Sequence, residues 1–153
     1  MKSLLILGAG GFGHMIKETA QALGYEEIVF LDDMVKEDDV IGMCCDYVIK
    51  HEEYPVAVAA FGNNKTRLFW TDKLLEEGYE VPTIVHPSAV VSPSVTLEPG
   101  CFIMQRSVVN TNTKIERAAL VNSGAVVDHN SVVCAGAHVG LGSVVKANCT
   151  IAR

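Results

Sequence analysis

From residue 85 to residue 151 an aliphatic side chain recurs at every sixth position: Val85, Val91, Leu97, Ile103, Val109, Ile115, Val121, Val127, Val133, Val139, Val145 and Ile151. A strand alternates with period two and a helix with a period of about 3.6, so a period of six fits neither. It fits a parallel β-helix of hexapeptide repeats, in which every sixth side chain enters one narrow core. Two residues before each core position, from Ala89 onward, stands a mostly small residue (Cys101, Ser107, Ala119, Ala125, Ala137 and Cys149 among them), which lets the chain turn its corner. Pro87, Pro93 and Pro99 recur two residues after a core position, where a fixed φ suits a corner. The same slot holds His129, which is therefore expected at an exposed corner. Three hexapeptides make one triangular turn, so these positions supply about four turns.

The first part of the chain keeps a different rhythm. Leu4–Leu7 is apolar and strand-like, GAGGFGH follows it, and a helix is expected over about residues 12–23, ended by Gly24. Glu27–Leu31 predicts a second strand closing on Asp32 and Asp33, Tyr47–Ile49 a short third and Val56–Phe61 a fourth. Asn63 or Asn64 then caps a helix carrying Leu68, Trp70, Leu74 and Leu75 and stopping at Gly78. Trp70 and Tyr79 are expected in the core of this part. Alternating strand and helix implies a small parallel sheet. The expected fold is thus a small Rossmann-like α/β domain over residues 1–80, a linker near Val81–Ser88, and a left-handed parallel β-helix of hexapeptide repeats over residues 81–153.

Charge and cysteine content narrow the function. Residues 1–80 hold 7 Lys/Arg against 15 Asp/Glu, a net of −8, while residues 81–153 hold 5 against 3, a net of +2. The acidic first part argues against nucleic-acid binding, which needs clustered cations. The apolar start, about five residues long, is too short for a signal h-region or a membrane span. Five cysteines, odd in number and without metal-ligand spacing, fit a reducing cytoplasm and no metal site.

Two segments carry candidate chemistry. Gly8, Gly10, Gly11 and Gly13 form G-x-G-x-x-G between a strand and a helix, where backbone N–H groups can meet a phosphate. Asp32 lies 19 residues past Gly13, near the spacing of a ribose-binding acid. Alone this suggests NAD and a small oxidoreductase, but the few short strands make half a dinucleotide fold and suit a mononucleotide-sized ligand better; a packing turn without ligand is the bland alternative. His14 follows the loop and is a candidate for a phosphate or a base. Asn63, Asn64 and Arg67 stand after a strand end, where ligands gather, although capping explains the asparagines almost as well. The second segment is Asp128-His129, an acid beside an exposed imidazole, which suits a general base near neutral pH; a solvated surface pair is the alternative. His138 lies nine residues on, so the two imidazoles are expected on different parts of the coil, converging only across a subunit interface. Gly140-Leu141-Gly142 is a candidate source of N–H donors for an oxyanion.

The segments GAGGFGH, FLDD, FGNNKTR and IVHPSAVVSPS, leading into VNSGAVVDHNSVV, together resemble the sialic-acid O-acetyltransferase and bacterial nucleotide-sugar N-acetyltransferase family, including enzymes that acetylate a UDP-4-amino-sugar. The resemblance covers nearly the whole chain. It implies that Gly8, Gly10, Gly11, Gly13, His14, Asp32 and Asp33 hold a nucleotide-sugar; UDP and CMP are the family's options, and the residues leave open which nucleotide this chain takes. It implies that His129 removes a proton from the sugar's amine or hydroxyl as it attacks acetyl-CoA, with Asp128 orienting the imidazole. Asn122 and His138 would line the same site, His138 from the next subunit of a homotrimer. Family members carry further coils that form much of the CoA groove, so the resemblance also implies a chain cut short of its donor site, with a non-catalytic nucleotide-sugar-binding trimer as the rival function.

Overall fold

The computed structural model describes residues 1–153, and the chain divides into two compact units, Met1–Pro82 and Thr83–Arg153. In the first, strand β1 (Ser3–Leu7) is central in a three-stranded parallel sheet, flanked by β2 (Glu27–Leu31) and β3 (Ala57–Ala59). Leu4, Leu5, Ile6 and Leu7 are fully buried, as expected for a strand covered on both faces. Helix α1 (Gly11–Ala22) follows β1 through the glycine loop, and α3 (Asn64–Glu77) follows β3, capped by Asn63 and stopped by Gly78 in the left-handed conformation.

Two expectations are corrected in this unit. The sheet has three strands rather than four or five, and Tyr47–Lys50 is a short helix, α2. The reason is local: the Asp46 carboxylate accepts the Met43 N–H at 2.8 Å and starts a 3₁₀ turn over Cys44–Asp46 that runs into α2. The role of a further pairing partner for β2 is taken by the loop after it, where Ile41 N–H donates to the Phe30 carbonyl and Phe30 N–H to the Asp39 carbonyl.

The second unit is a left-handed parallel β-helix of two-residue strands. Its first face stacks β4 (Ile84–Val85), β7 (Phe102–Ile103), β10 (Leu120–Val121) and β13 (His138–Val139). The second stacks β5 (Val90–Val91), β8 (Val108–Val109), β11 (Val126–Val127) and β14 (Val144–Val145). The third stacks β6 (Thr96–Leu97), β9 (Lys114–Ile115), β12 (Val132–Val133) and β15 (Thr150–Ile151). Register is 18 residues per turn, as in Leu120 beside His138. All of the six-spaced aliphatic residues lie in or against one core, with Cys101 and Cys149 packed among them. Pairing begins at Ile84, so much of the segment expected as a linker already belongs to the coil.

The corners obey a rule that the proline pattern does not announce. Three residues after a core position the backbone is left-handed at Gly100, Arg106, Asn112, Ala118, Gly124, Asn130, Gly136, Gly142 and Asn148, with φ between 56° and 71°. Only glycine and asparagine visit this region readily, and they hold most of these slots.

Candidate functional site

Three strand ends build one cleft in the first unit. The loop after β1 brings Gly8, Gly10, Gly11 and Phe12, the loop after β2 brings Asp32, Asp33, Met34 and Val35, and Phe61, Gly62, Thr66 and Trp70 come from the β3–α3 segment; Cys44 closes the wall around about 590 Å³. Ligands of parallel α/β sheets bind at this carboxyl edge. The glycines divide the work. Gly8 has φ +100° and a Cβ there would stand 2.7 Å from the Ala60 carbonyl oxygen; a Cβ on Gly13 would fall 1.9 Å from the Gly8 carbonyl oxygen. Those two are demanded by packing. Gly10 and Gly11 have nothing within 4 Å of the same position and open the first turn of α1 toward the cleft. The earliest N–H groups of a helix lack intrahelical partners and favour an anion.

Asp32 serves as a brace. Its carboxylate accepts N–H bonds from Ala9, Met34 and Val35, each at 2.8 Å, tying the β2 end to the glycine loop. Burial alone would raise its pKa; the three donors outweigh that and hold it below the ordinary carboxylate value. Asp33 accepts the Cys44 N–H at 2.9 Å and is otherwise exposed beside the cleft. His14 turns aside: its Nε2 is 3.1 Å from Glu37 and its ring packs on Phe30, so it does not line the cleft. With Lys17–Asp39 at 2.6 Å, that pair pins α1 to the loop after β2.

Arg67 requires a correction, because it is completely buried and cannot touch a ligand. Its guanidinium donates to the carbonyls of Phe61 and Gly62 at 3.0 and 3.3 Å and to Asn64 Oδ1 at 3.0 Å, shaping the loop that faces the cleft. Burial lowers its pKa to about 10. Asn63 is the cap of α3, accepting the Thr66 N–H at 2.9 Å. Thr66 and Trp70, one helical turn apart, present the side of α3 that the asparagines do not. Trp70, expected in the core, is half-buried, stands edge-on to Tyr47 and Phe69, and lines the cleft. Its i, i+4 spacing from Thr66 was the available signal. Burial first, with Asp33 and Asp32 nearby, pushes the Cys44 thiol up to about 12, which favours its protonated form.

In the coil, His129 is exposed at the corner after β11. Asp128 does not hold its imidazole: the carboxylate accepts the His129 backbone N–H at 2.8 Å and the Asn110 amide at 3.0 Å. The Asn110 bond first, then the His129 N–H, lowers the Asp128 pKa. The imidazole Nδ1 lies 2.9 Å from Asn130 Oδ1, a residue the sequence reading did not nominate. His138 begins a strand of a different face, and its Nε2 is 3.1 Å from the Asn122 amide nitrogen; Asn122 Oδ1 accepts the Ser123 N–H at 2.8 Å. Asn122 and His138 are thus joined within one chain. As an oxyanion donor Gly142 fails, because its N–H already donates to the Ser123 carbonyl at 3.0 Å; Gly140 is half-buried beside it. No group of His, Cys, Asp or Glu is arranged to hold a metal ion, and no helix is long and apolar enough to cross a membrane.

Comparison with known proteins places this geometry. Residues 3–74 match the PglD N-terminal domain family. A histidine-to-alanine variant of GDP-perosamine N-acetyl transferase from Caulobacter crescentus, solved with CoA and GDP-perosamine, matches with a TM-score of 0.92 at 28% identity, over 98% of this chain and 74% of that one. PerB from the same organism, also with CoA and GDP-perosamine, matches at 0.86 and 32% identity over 94% and 71%. The acetyltransferase domain of PglB from Neisseria gonorrhoeae FA1090, with acetyl coenzyme A, matches at 0.80 and 30% identity over 97% and 84%. Two of these structures hold a GDP-linked sugar.

Proposed function

The chain belongs to the nucleotide-sugar N-acetyltransferase family, and from that premise we propose that it transfers the acetyl group of acetyl-CoA to the amine of a nucleotide-linked amino sugar, with His129 as general base. The nucleotide end sits in the cleft of the first unit. Its phosphates meet the N–H groups at the start of α1, over Gly10 and Gly11, and its base packs among Phe12, Phe61 and Trp70. Asp33 is the carboxylate at hand for ribose or base donors, while Asp32, Asn63, Asn64 and Arg67 hold the cleft's walls and His14 anchors α1.

At the coil the sugar amine attacks the thioester carbonyl. A C–N bond forms, the amine proton passes to Nε2 of His129, the C–S bond breaks as the oxyanion collapses, and the CoA thiolate takes up a proton. The observation that carries this assignment is the different state of the two histidines. Asn122 donates to Nε2 of His138, engaging the nitrogen a base would use, whereas in His129 the bonded nitrogen is Nδ1. A correctly placed base contributes a factor of about 10²–10⁴.

The assembly we propose is a homotrimer through the coil. Val90, Val108, Val126 and Val144 share one outward column beside the core positions, and Val90 and Val144 are 63% and 71% exposed. A continuous apolar stripe of this kind marks an interaction surface, and it borders the column of Asn110 and Asp128 next to His129. A neighbouring copy seated there brings a second set of Asn122 and His138 toward the base.

The experiment is turnover with acetyl-CoA against a panel of GDP-, UDP- and CMP-linked amino sugars, reading free thiol and the acetylated sugar by mass spectrometry, with calorimetry on each substrate alone. Thiol release that requires an amino-sugar acceptor supports the reading. Binding of the nucleotide-sugar without any thiol release would leave a binding protein in its place.

A further inference from the structure

The side-chain oxygen of Asn130 faces Nδ1 of the His129 ring at 2.9 Å. A carbonyl oxygen only accepts, so the ring nitrogen opposite it carries the proton, and in the neutral imidazole Nε2 then keeps its lone pair. Nothing else in the chain does this: the Asp128 carboxylate, the obvious candidate, is turned to the His129 backbone N–H and to Asn110. Asn130 is itself held firmly. Its backbone is left-handed, φ 56°, and its N–H donates to the Thr111 carbonyl one coil below at 3.0 Å. The corner slot thus asks for glycine or asparagine, and asparagine alone among these brings an acceptor to the ring.

We propose that Asn130 is the positioning residue of the base, fixing the Nδ1-protonated tautomer of His129 through a neutral amide and without a charged partner. This rests on the assignment of His129 as the base. The consequence is distinctive. A carboxylate in this place would stabilise the imidazolium as well as orient the ring; an amide orients it and leaves the developing positive charge to its surroundings. The charged residues next to His129 in sequence and coil register are Asp128, already committed to two donors, and Lys146 on the next coil, in register with Asp128. Neither bonds the imidazole.

The test uses substitutions that keep the backbone. Asn130→Gly suits the left-handed corner, as Gly124, Gly136 and Gly142 do elsewhere, and Asn112→Gly makes the same backbone change one coil below without a histidine beside it. Nitrogen-15 shifts of the His129 ring are read in the full-length protein, with acetyl transfer measured alongside. Asn130→Gly is expected to abolish the preference for the Nδ1-protonated tautomer and to lower kcat on the order of a hundred-fold, with KM for both substrates within about two-fold and melting unchanged. Asn112→Gly leaves shifts and kcat as they were. Asn130→Asp is expected to restore most of kcat and to move the acid limb of the pH–rate profile upward by about one pH unit. An Nε2-protonated ring in the unsubstituted protein, an Asn130→Gly variant with full kcat, or an Asn130→Asp variant with an unmoved acid limb would each overturn the proposal. The tautomer measurement needs no turnover, so it decides the role of Asn130 even if the acetyltransferase reading were to fail.

Discussion

In the first unit, residues that the sequence motifs single out largely hold one another, and the ligand-facing surface is made by what is left open. In the coil the arrangement is inverted: the same few slots repeat every six residues, and the candidate chemistry sits where one slot breaks the pattern. Gly8 and Gly13 are packing residues, Asp32 is tied to three N–H groups, and Arg67 is sealed behind its loop. The cleft is offered by Gly10, Gly11 and the aromatic faces of Phe12, Phe61 and Trp70. From residue 87 to residue 147 the slot of His129 is otherwise filled by Pro87, Pro93, Pro99, Gln105, Thr111, Arg117, Ser123, Ala135, Leu141 and Ala147, none of which is a base near neutral pH. A one-off scaffold hides its ligand contacts among its braces, whereas a repeat exposes an exception by contrast.

That contrast predicts effects of graded size. The largest belongs to Val127→Asp. An unpaired carboxylate in the narrow core of the coil costs on the order of 5 kcal/mol, and chemical denaturation is expected to show the coil unfolded with the first unit's signal retained. Gly13→Ala comes next. Its methyl group meets the Gly8 carbonyl oxygen at 1.9 Å, so α1 must shift, at a cost of about 3 kcal/mol, and nucleotide-sugar binding should vanish with it. Arg67→Met removes a buried guanidinium and leaves its acceptors unpaired; a loss of about 2 kcal/mol in denaturant stability is expected.

Gly10→Ala separates ligand contact from packing. With nothing within 4 Å of the new methyl group, stability should move by less than about 0.5 kcal/mol, while calorimetry shows nucleotide-sugar affinity about ten-fold weaker. Equal effects from Gly10→Ala and Gly13→Ala would erase the distinction between brace and opening. The smallest effect is that of Asp32 on acid stability. Its pKa is depressed in the fold, so its contribution is full above the unfolded value of about 3.9 and is lost as pH falls through the lower folded value. Melting temperature followed downward from about pH 5 should therefore fall more steeply for the natural chain than for Asp32→Asn.

Much of this was legible beforehand for reasons that differ by unit. The period of six names the core of the coil residue by residue because each core position is filled independently by one aliphatic side chain. The glycine loop, the cap at Asn63 and the stop at Gly78 follow from local backbone geometry, which nearest neighbours determine. The strand expected over Tyr47–Ile49 is a helix because its form depends on Asp46 reaching back to Met43, not on its own propensity. Asp128 was credited with orienting His129 because adjacency suggests contact. At a left-handed corner, however, it is the following residue, Asn130, whose side chain comes back over the ring. The glycine-or-asparagine spacing of the corners was visible in the sequence, but its meaning for His129 required the backbone.

The central claim is that the first unit binds the acceptor and His129 performs the proton transfer, and His129→Ala tests it most directly. Nucleotide-sugar affinity by calorimetry and acetyl-CoA-dependent thiol release are measured on the same preparation. The account predicts unchanged affinity and melting, because the side chain is exposed, with thiol release reduced by at least about 10²-fold. Thiol release at the unsubstituted rate would show that the base lies elsewhere.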